Sequence, residues 1–403
     1  MDKIGLGIVG LGARGKGLVK DLLLQMEGVR VVALADDYAT RAEDLAAYVG
    51  EKTGTRPFAT RDHRELISRS EVDAVLIVTP WECHVPMAID ALRAGKPVGI
   101  EVGGALSLAQ CFDLVRVQEE TGTPFMFLEN CCYGRTELAV TRMVREGLFG
   151  EIVHCAGAYA HDLRGEIAHG EENHHYRLRH YLSRNGENYP THELGPIAKL
   201  LRINAGNRLV SLTATASKSA GMREYLKTHA AAGVNADSRF AQGDIVTTVL
   251  TCAGGESIVL TLDTTLPRYY CRDFTVRGTK GFYEERTDSV FLDGDSDHDW
   301  RSQWGNFSRY RDQYEHPIWQ RFLQDGPLGG HGGMDGLVYG AFVDCVRNGL
   351  PMPIDVYDAA AWMCIAPLSE ASIRQGGAPQ EIPDFTNGRW LAPTKNDGDF
   401  ALI

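Results

Sequence analysis

At 403 residues the chain exceeds what one ordinary core serves, since domains run to about 100–200 residues, and two or three are expected. Apolar content of 44% and charged content of 23% describe a globular protein and exclude wholesale disorder. A net charge of −12, with no run of Lys and Arg, argues against nucleic acid and membrane surfaces as partners.

Met1-Asp2-Lys3 leads straight into an apolar stretch, without the charged segment, long apolar run and cleavage site of a secretory signal. No run of about 18 apolar residues follows that would span a membrane. Nine scattered cysteines, with no C-x-x-C pair, suit reduced thiols better than disulfides or zinc. These features predict a cytoplasmic protein.

In chain order, Ile4–Val9, Val29–Ala35, Ala74–Thr79, Pro97–Ile100 and Phe125–Leu128 are short apolar runs without alternation, as buried parallel strands require. Gly15–Met26, Arg41–Thr53, Pro86–Ala94 and Leu108–Thr121 carry helical periodicity between them. Such alternation predicts a doubly wound parallel sheet over residues 1–130. Past Gly150 the texture changes. Ile152–Tyr159, Leu209–Ala216, Ile245–Thr251, Ser257–Asp263, Phe274–Arg277 and Gly281–Arg286 read as strands, with no helix between most of them. Asp293–Trp304 is polar, acidic and loop-like, and Met334–Arg347 and Val356–Gln375 are the main helices beyond it. Residues 131–403 therefore read as an α+β domain on an open, mainly antiparallel sheet.

Gly10-Leu11-Gly12-Ala13-Arg14-Gly15 is a G-x-G-x-x-G that follows the first strand, opens a helix and precedes a second strand ending in Asp36. Gly10 makes the tight turn, Gly12 lets backbone approach a pyrophosphate, and Gly15 lets helix and strand pack closely. The free N–H groups and dipole of the helix start favour that anion. Asp36 would accept hydrogen bonds from the adenosine ribose and repel a 2′-phosphate, so the expected cofactor is NAD rather than NADP. Arg41 nearby reads either as a moderating cation or as an exposed helix residue.

With this loop in place the sequence resembles the Gfo/Idh/MocA oxidoreductases, an N-terminal Rossmann domain followed by a C-terminal open sheet. Ordinary members carry Glu-Lys-Pro after the fifth strand, whereas here the segment reads Glu101-Val102-Gly103-Gly104, with the glutamate but without the lysine. That departure is similar to glycoside hydrolase family 109, the NAD-dependent α-N-acetylgalactosaminidases. So are Trp81-Glu82-Cys83-His84, Leu128-Glu129-Asn130-Cys131-Cys132-Tyr133, Tyr176-Arg177-Leu178-Arg179-His180, Tyr189-Pro190-Thr191-His192, Gly330-His331-Gly332-Gly333-Met334-Asp335 and Pro383-Asp384-Phe385-Thr386. The resemblance implies cofactor contacts from Arg14, Gly15, Asp36, Trp81, Glu82, His84, Glu101, Val102 and Asn130. It implies a sugar pocket lined by Tyr159, Arg177, Tyr189, Thr191, His192 and Tyr270, with Pro190 inside the motif. An open sheet face commonly mediates pairing in this superfamily, so a homo-oligomer is expected.

Such a glycosidase replaces the usual pair of carboxylates by transient oxidation of C3, elimination across C1–C2, addition of water and re-reduction. Proton transfer is assigned to His192 and Tyr189, because imidazole titrates near neutrality and a tyrosine beside cations serves as acid or base. Pro190 marks their segment as a loop entering a helix, with His192 near the helix start. Arg177 and Arg179 are expected to stabilise enolate charge or grip polar groups, and Tyr159 and Tyr270 to stack on or bond to the sugar ring. His331 reads either as catalytic or as part of a capping loop, and Glu101 as orienting the nicotinamide or capping a turn. His169, His174 and His175 show no paired carboxylate geometry, so no metal is expected; Cys131 and Cys132 read as buried and inert. An NAD-dependent sugar or cyclitol dehydrogenase is the alternative activity, and an idle NAD-binding sensor a third reading. The density of titratable residues between Tyr159 and His192 weighs against the sensor.

Overall fold

Ile4–Val9 (β1) is buried at every position, as a strand covered on both faces must be. In the computed structural model, which describes residues 3–294, 299–326, 328–392 and 400–402, β1 lies inside a six-stranded sheet. Its companions are β2 (Val29–Ala35), β3 (Phe58–Thr60), β4 (Ala74–Ile77), β5 (Val98–Ile100) and β6 (Phe125–Phe127), in the order β3-β2-β1-β4-β5-β6. Every pairing is parallel, the dinucleotide-binding topology that the alternation predicts.

The connecting helices are α1 (Ala13–Leu18), α2 (Ala39–Thr53), α3 (His63–Ser68), α4 (Trp81–Arg93) and α5 (Leu108–Thr121). β3 and α3 escape the sequence reading because three and six residues are too few to show a period. The helix expected over Gly15–Met26 is α1 followed by one wider turn, Val19–Leu23, in which Leu24 N donates to Val19 O at 3.2 Å. α4 begins five residues before Pro86, where the sequence places its start. Trp81, His84, Val85 and Ala88 form one buried stripe at helical spacing. Burial of that stripe, at about 1.5–3 kcal/mol for a large apolar side chain, offsets the loss of about 3 kcal/mol that an interior proline imposes.

By contacts the chain forms two compact units. One comprises Met1–Tyr133 and Pro317–Ala360 with residues 400–402, and the other Gly134–His316 and Ala361–Thr394. The first change of unit falls between Tyr133 and Gly134, and the second unit is not the single run 131–403 expected for the second domain. Residues 317–360 return to the first unit through specific bonds. Trp319 Nε1 donates to Tyr133 O at 2.8 Å, and Phe127 N to Ile354 O at 3.0 Å. The helix expected over Val356–Gln375 is two, Val356–Met363 and Ile365–Arg374.

The second unit holds an eight-stranded sheet. Its strands are β7 (Ile152–Ala160), β8 (Leu209–Ala216), β9 (Ile245–Cys252), β10 (Ser257–Asp263), β11 (Thr275–Gly278), β12 (Gly281–Glu284), β13 (Ser289–Leu292) and β14 (Gln380–Glu381). The order is β13-β12-β11-β7-β10-β9-β8-β14, antiparallel except where β7 meets β10. Strand β10 alternates buried Ile258, Leu260 and Leu262 with half-exposed Ser257, Val259, Thr261 and Asp263, so one face is packed and the other open. The row Thr275, Ala156, Val259, Val249 and Thr213 crosses that open face in register. Of the loop expected over Asp293–Trp304, residues 295–298 lie outside the described residues, while Trp300–Gln303 is a helical turn capped by Asp299 Oδ1. Among the described residues no helix is long and apolar enough to cross a membrane.

Three helices lie between β7 and β8, where the sequence marks one helix entry, at Pro190. α6 (Arg135–Arg145) precedes β7, and α7 (Arg164–Ala168), α8 (Arg177–Ser183) and α9 (Thr191–Leu200) follow it. α9 approaches β7 at Gly157, where a Cβ would stand 2.8 Å from Glu193 Cβ and 3.1 Å from Glu193 O. Gly157→Val should therefore push α9 from the sheet and lower stability by about 1–3 kcal/mol. A melting temperature equal to that of the unsubstituted protein would show that α9 does not depend on this approach.

Candidate functional site

In the first unit, the loop between β1 and α1 separates two kinds of glycine. A Cβ on Gly10, whose φ is +93°, would lie 2.5 Å from Val78 O, and one on Gly15 would lie 2.0 Å from Gly10 O. The protein's own packing demands both. At Gly12 a Cβ would meet only Arg41 Nη1 within 4 Å, at 3.9 Å. Packing does not explain that missing side chain; it keeps a space clear at the start of a helix whose N-cap supplies no side-chain acceptor. First-turn N–H groups lack helical partners, so the loop fits the pyrophosphate of a dinucleotide.

Asp36, at the end of β2, is nearly buried. Leu11 N donates to its Oδ2 at 2.7 Å and Tyr38 N to its Oδ1 at 2.9 Å, while Arg41 Nη1 stands 3.7 Å away. Two backbone donors fix the carboxylate, and its remaining lone pairs can accept from ribose hydroxyls.

Arg14 belongs to a larger network. Its Nε and Nη2 donate to Glu101 Oε1 at 3.2 and 2.9 Å, and its Nη1 and Nη2 to Asp335 Oδ2 and Oδ1 at 2.7 and 3.0 Å. Asn130 Nδ2 donates to Asp335 Oδ1 at 2.8 Å, and His331 Nδ1 lies 2.9 Å from Asp335 Oδ2. Tyr339 Oη donates to Glu101 Oε1 at 2.6 Å. Burial opposes the charge on Asp335, yet hydrogen bonds from His331 and Arg14 hold its carboxyl well below the usual carboxylate range. Burial likewise opposes the charge on Arg14, and Glu101 and Asp335 overcome it. Three residues of the expected cofactor set, Arg14, Glu101 and Asn130, are thus held by two that the sequence reading gave no role, Asp335 and Tyr339.

Trp81 is buried, and a side chain at Gly103, φ +154°, would lie 2.3 Å from its indole ring. The absent lysine is replaced by Val102, buried beside this contact. His84 is enclosed, with Nε2 donating to Thr79 O at 2.7 Å, and burial pushes its imidazole down to about 4, so it is neutral at neutral pH. Glu82 is half-buried in the first turn of α4.

The second unit gathers phenols and imidazoles where β7 ends and α9 begins. Pro190 is the N-cap of α9, and Thr191 and His192 are its first two residues, the loop-to-helix entry the sequence implies. Tyr189 Oη stands 3.4 Å from His192 Nε2, with ring centroids 4.9 Å apart. The Tyr159 ring lies 4.5 Å from Tyr189, 5.6 Å from His192 and 6.5 Å from Tyr270. The buried Thr191 hydroxyl has no hydrogen-bond partner among the described residues.

Arg177, buried at the start of α8, donates to Glu166 Oε1, and its guanidinium carbon is 5.2 Å from the Tyr189 ring centroid. Burial opposes charge on Glu166, but Arg177 and His175 hold its carboxyl below the usual range. Arg177 N donates to His175 Nδ1 at 3.4 Å, leaving Nε2 protonated toward Glu166, 3.6 Å away. A fixed cation thus faces Tyr159 and Tyr189, ready to offset negative charge on either oxygen.

Arg179 and His331 have the following settings. Arg179 is exposed, because two residues along a helix turn a side chain by roughly 200° from Arg177. His331 belongs to the first unit, in the Asp335 network. His169 pairs with Glu172 and His175 with Glu166, while His174 is exposed at φ +52°.

Residues 133–392 match the family described as Glycosyl hydrolase 109, C-terminal domain, and residues 4–128 the oxidoreductase family with an NAD-binding Rossmann fold. A glycosyl hydrolase family 109 protein of Stenotrophomonas maltophilia is 42% identical over 96% of this chain and 90% of its own length. The chain belongs to glycoside hydrolase family 109. It is an enzyme, a glycosidase, with an NAD-binding Rossmann domain of the Gfo/Idh/MocA type. An alpha-N-acetylgalactosaminidase of Tannerella forsythia is 38% identical over 96% of this chain and 86% of its own. The crystal structure of an NAD binding oxidoreductase from Klebsiella pneumoniae shares the fold, with a TM-score of 0.70 at 18% identity over 94% of this chain and 99% of that one.

In this family 109 enzyme the sequence also gives no sign of His161, Glu166 and Glu187. Glu187 is fully buried, and burial pushes its carboxyl up to about 8 against the opposing backbone N–H groups of Tyr189 and Leu262. No period or motif marks these three; only His331 and Asp335, four apart at a helix start, left a readable pairing signal. Asp335→Asn should free Arg14 and Asn130 from their common acceptor and weaken NAD binding by roughly tenfold or more, about 1.4 kcal/mol. Calorimetric titration with NAD tests this, and unchanged affinity in a folded variant would remove Asp335 from the cofactor site.

Proposed function

We propose that this enzyme cleaves α-N-acetylgalactosaminide-like sugars by oxidation of C3, elimination across C1–C2, addition of water and re-reduction. The observation that carries the reading is the Tyr189–His192 pair facing Arg177, on a chain whose other unit clears a space for a dinucleotide at Gly12. Glycosidases that work without a redox cofactor place two carboxyl groups about 5 Å or about 6.5–9.5 Å apart across the scissile bond. Here Glu166, the carboxylate paired with the cluster's cation, is committed to Arg177 and His175. Phenol and imidazole are acid–base groups, suited to removing protons rather than to forming a glycosyl ester.

Arg14, Gly15, Asp36, Glu101 and Asn130 would hold the cofactor. Bound NAD supplies a hydride acceptor for C3 and the donor that returns the hydride at the end of the cycle. A C3 ketone acidifies C2–H, so a modest base suffices to take that proton while the C1 substituent leaves. We assign the base to Tyr189 with His192, the offsetting cation to Arg177 and a sugar contact to Thr191. The Tannerella relative's name supports the substrate class. The dehydrogenase alternative rests on fold likeness alone. We also assign subunit pairing to the open sheet face around Val249 and Val259, and a cytoplasmic site of action, supported by nine free thiols.

Cleavage of a nitrophenyl N-acetylgalactosaminide in D₂O should leave deuterium at C2 of the product, without accumulation of reduced nicotinamide. Tyr189→Phe or His192→Ala should slow it by roughly 10²–10⁴ with NAD still bound. Rapid cleavage with C2 fully protonated would rule out elimination, and stoichiometric reduced cofactor beside a stable ketone would establish the dehydrogenase.

Cofactor choice gives a separate check. Asp36 beside the ribose should make NAD bind at least about tenfold more tightly than NADP, and Asp36→Ala should weaken NAD without unfolding the protein. Equal affinities would mean that Arg41, 3.7 Å from Asp36, accepts a 2′-phosphate as readily as Asp36 repels it.

A further inference from the structure

A second phenol–imidazole pair stands beside the first. Tyr159 Oη and His161 Nδ1 are 3.3 Å apart, with ring centroids 5.8 Å apart at 80°. Two residues apart on extended chain, both side chains project to the same side. The backbone fixes them there: His161 N donates to Asp263 O at 2.9 Å, and Ala160 bridges to Cys271. His161 also meets the Tyr270 ring edge-on at 5.2 Å. The two pairs share a wall, since the Tyr159 and Tyr189 rings are 4.5 Å apart. They differ in access. Tyr159 and His192 are buried, whereas His161 is half exposed.

The chemistry assigned to this site needs two bases of different kinds. One takes a proton from carbon at C2; the other takes the hydroxyl proton at C3 during oxidation and returns it during re-reduction. A hydroxyl proton exchanges freely with water, and only the second pair has an imidazole that reaches water. Burial, then Arg177 and His192, push the His161 imidazole below its ordinary value, with Glu166 and Asp162 opposing, so near neutral pH it is uncharged and able to accept.

We propose that Tyr159 and His161 form a proton relay for the C3 hydroxyl, leaving the C2 proton to Tyr189 and His192. As the C3–H bond breaks and the hydride passes with its two electrons to NAD, the C3 hydroxyl O–H bond breaks. Tyr159 Oη takes that proton and gives its own to His161 Nδ1. Both transfers reverse when the hydride returns, so protons and electrons balance over the cycle. The inference rests on the oxidation–elimination reading above.

The test compares a nitrophenyl glycoside with the same compound already oxidised to a ketone at C3. His161→Gln should slow nitrophenol release from the glycoside by roughly 10²-fold and from the 3-keto glycoside far less, because that substrate has no hydroxyl proton to lose. Tyr159→Phe, which keeps the ring, should slow glycoside cleavage comparably, and the double variant should be no slower than the slower single, as for two groups acting as one unit. Equal losses of the His161 variant on both substrates, no loss on either, or additive effects in the double variant would overturn the relay. Failure of the unsubstituted enzyme to release nitrophenol from the 3-keto glycoside would overturn the oxidation–elimination reading and the relay with it, a result distinct from all of these.

Discussion

The carboxylate of Asp335 is the constraint on which the first unit's site depends. It accepts from Arg14, Asn130 and His331 while almost wholly buried. A buried charge is tolerable only when several donors surround it, and two of the donors here, Arg14 and Asn130, come from distant parts of the chain. Arg14 belongs to the glycine loop, Asn130 follows the last parallel strand and His331 lies within the returning segment, one turn before Asp335. One acceptor therefore sets the position of the cofactor loop relative to the end of the sheet. It also adds to the bonds of Trp319 and Ile354 that tie residues 317–360 to the first unit.

In the second unit the organising constraint is close approach of backbone to backbone. Gly157 lets α9 lie on β7, so Tyr189 and His192 at the helix entry meet Tyr159 near the strand end. Arg177 then brings a permanent positive charge to a group of aromatic rings. The ion pair with Glu166 leaves that charge in place while tying α8 to α7. The result is a cluster of phenols and imidazoles around a fixed cation, the groups to which the proposed proton transfers are assigned.

How much could be read in advance differs between the units. The parallel strands, the G-x-G-x-x-G turn and Asp36 were legible, because buried parallel strands and tight phosphate turns each restrict residue type at fixed spacing. Tyr189, Thr191 and His192 were legible only as a motif, and Pro190 told how the backbone would enter the helix. Arg177 and Arg179 looked equivalent in sequence, but helical rotation buries one and exposes the other. The start of α4 was misplaced because a proline signal is local, whereas the buried stripe from Trp81 to Ala88 is decided by the sheet beneath it.

By itself the sequence determined the Rossmann topology, the α+β character of the chain beyond Gly150, the dinucleotide loop and the membership signals of a glycosidase family. These are properties of short segments, set by periodicity, glycine conformation and local motif. Only the tertiary structure decided that Asp335 and Tyr339 hold Arg14, Glu101 and Asn130, that His331 serves the first unit, and that His161 stands against Tyr159. Each of those facts depends on side chains from separate segments reaching hydrogen-bond distance. No spacing along the chain encodes that distance, because packing of the whole unit sets it.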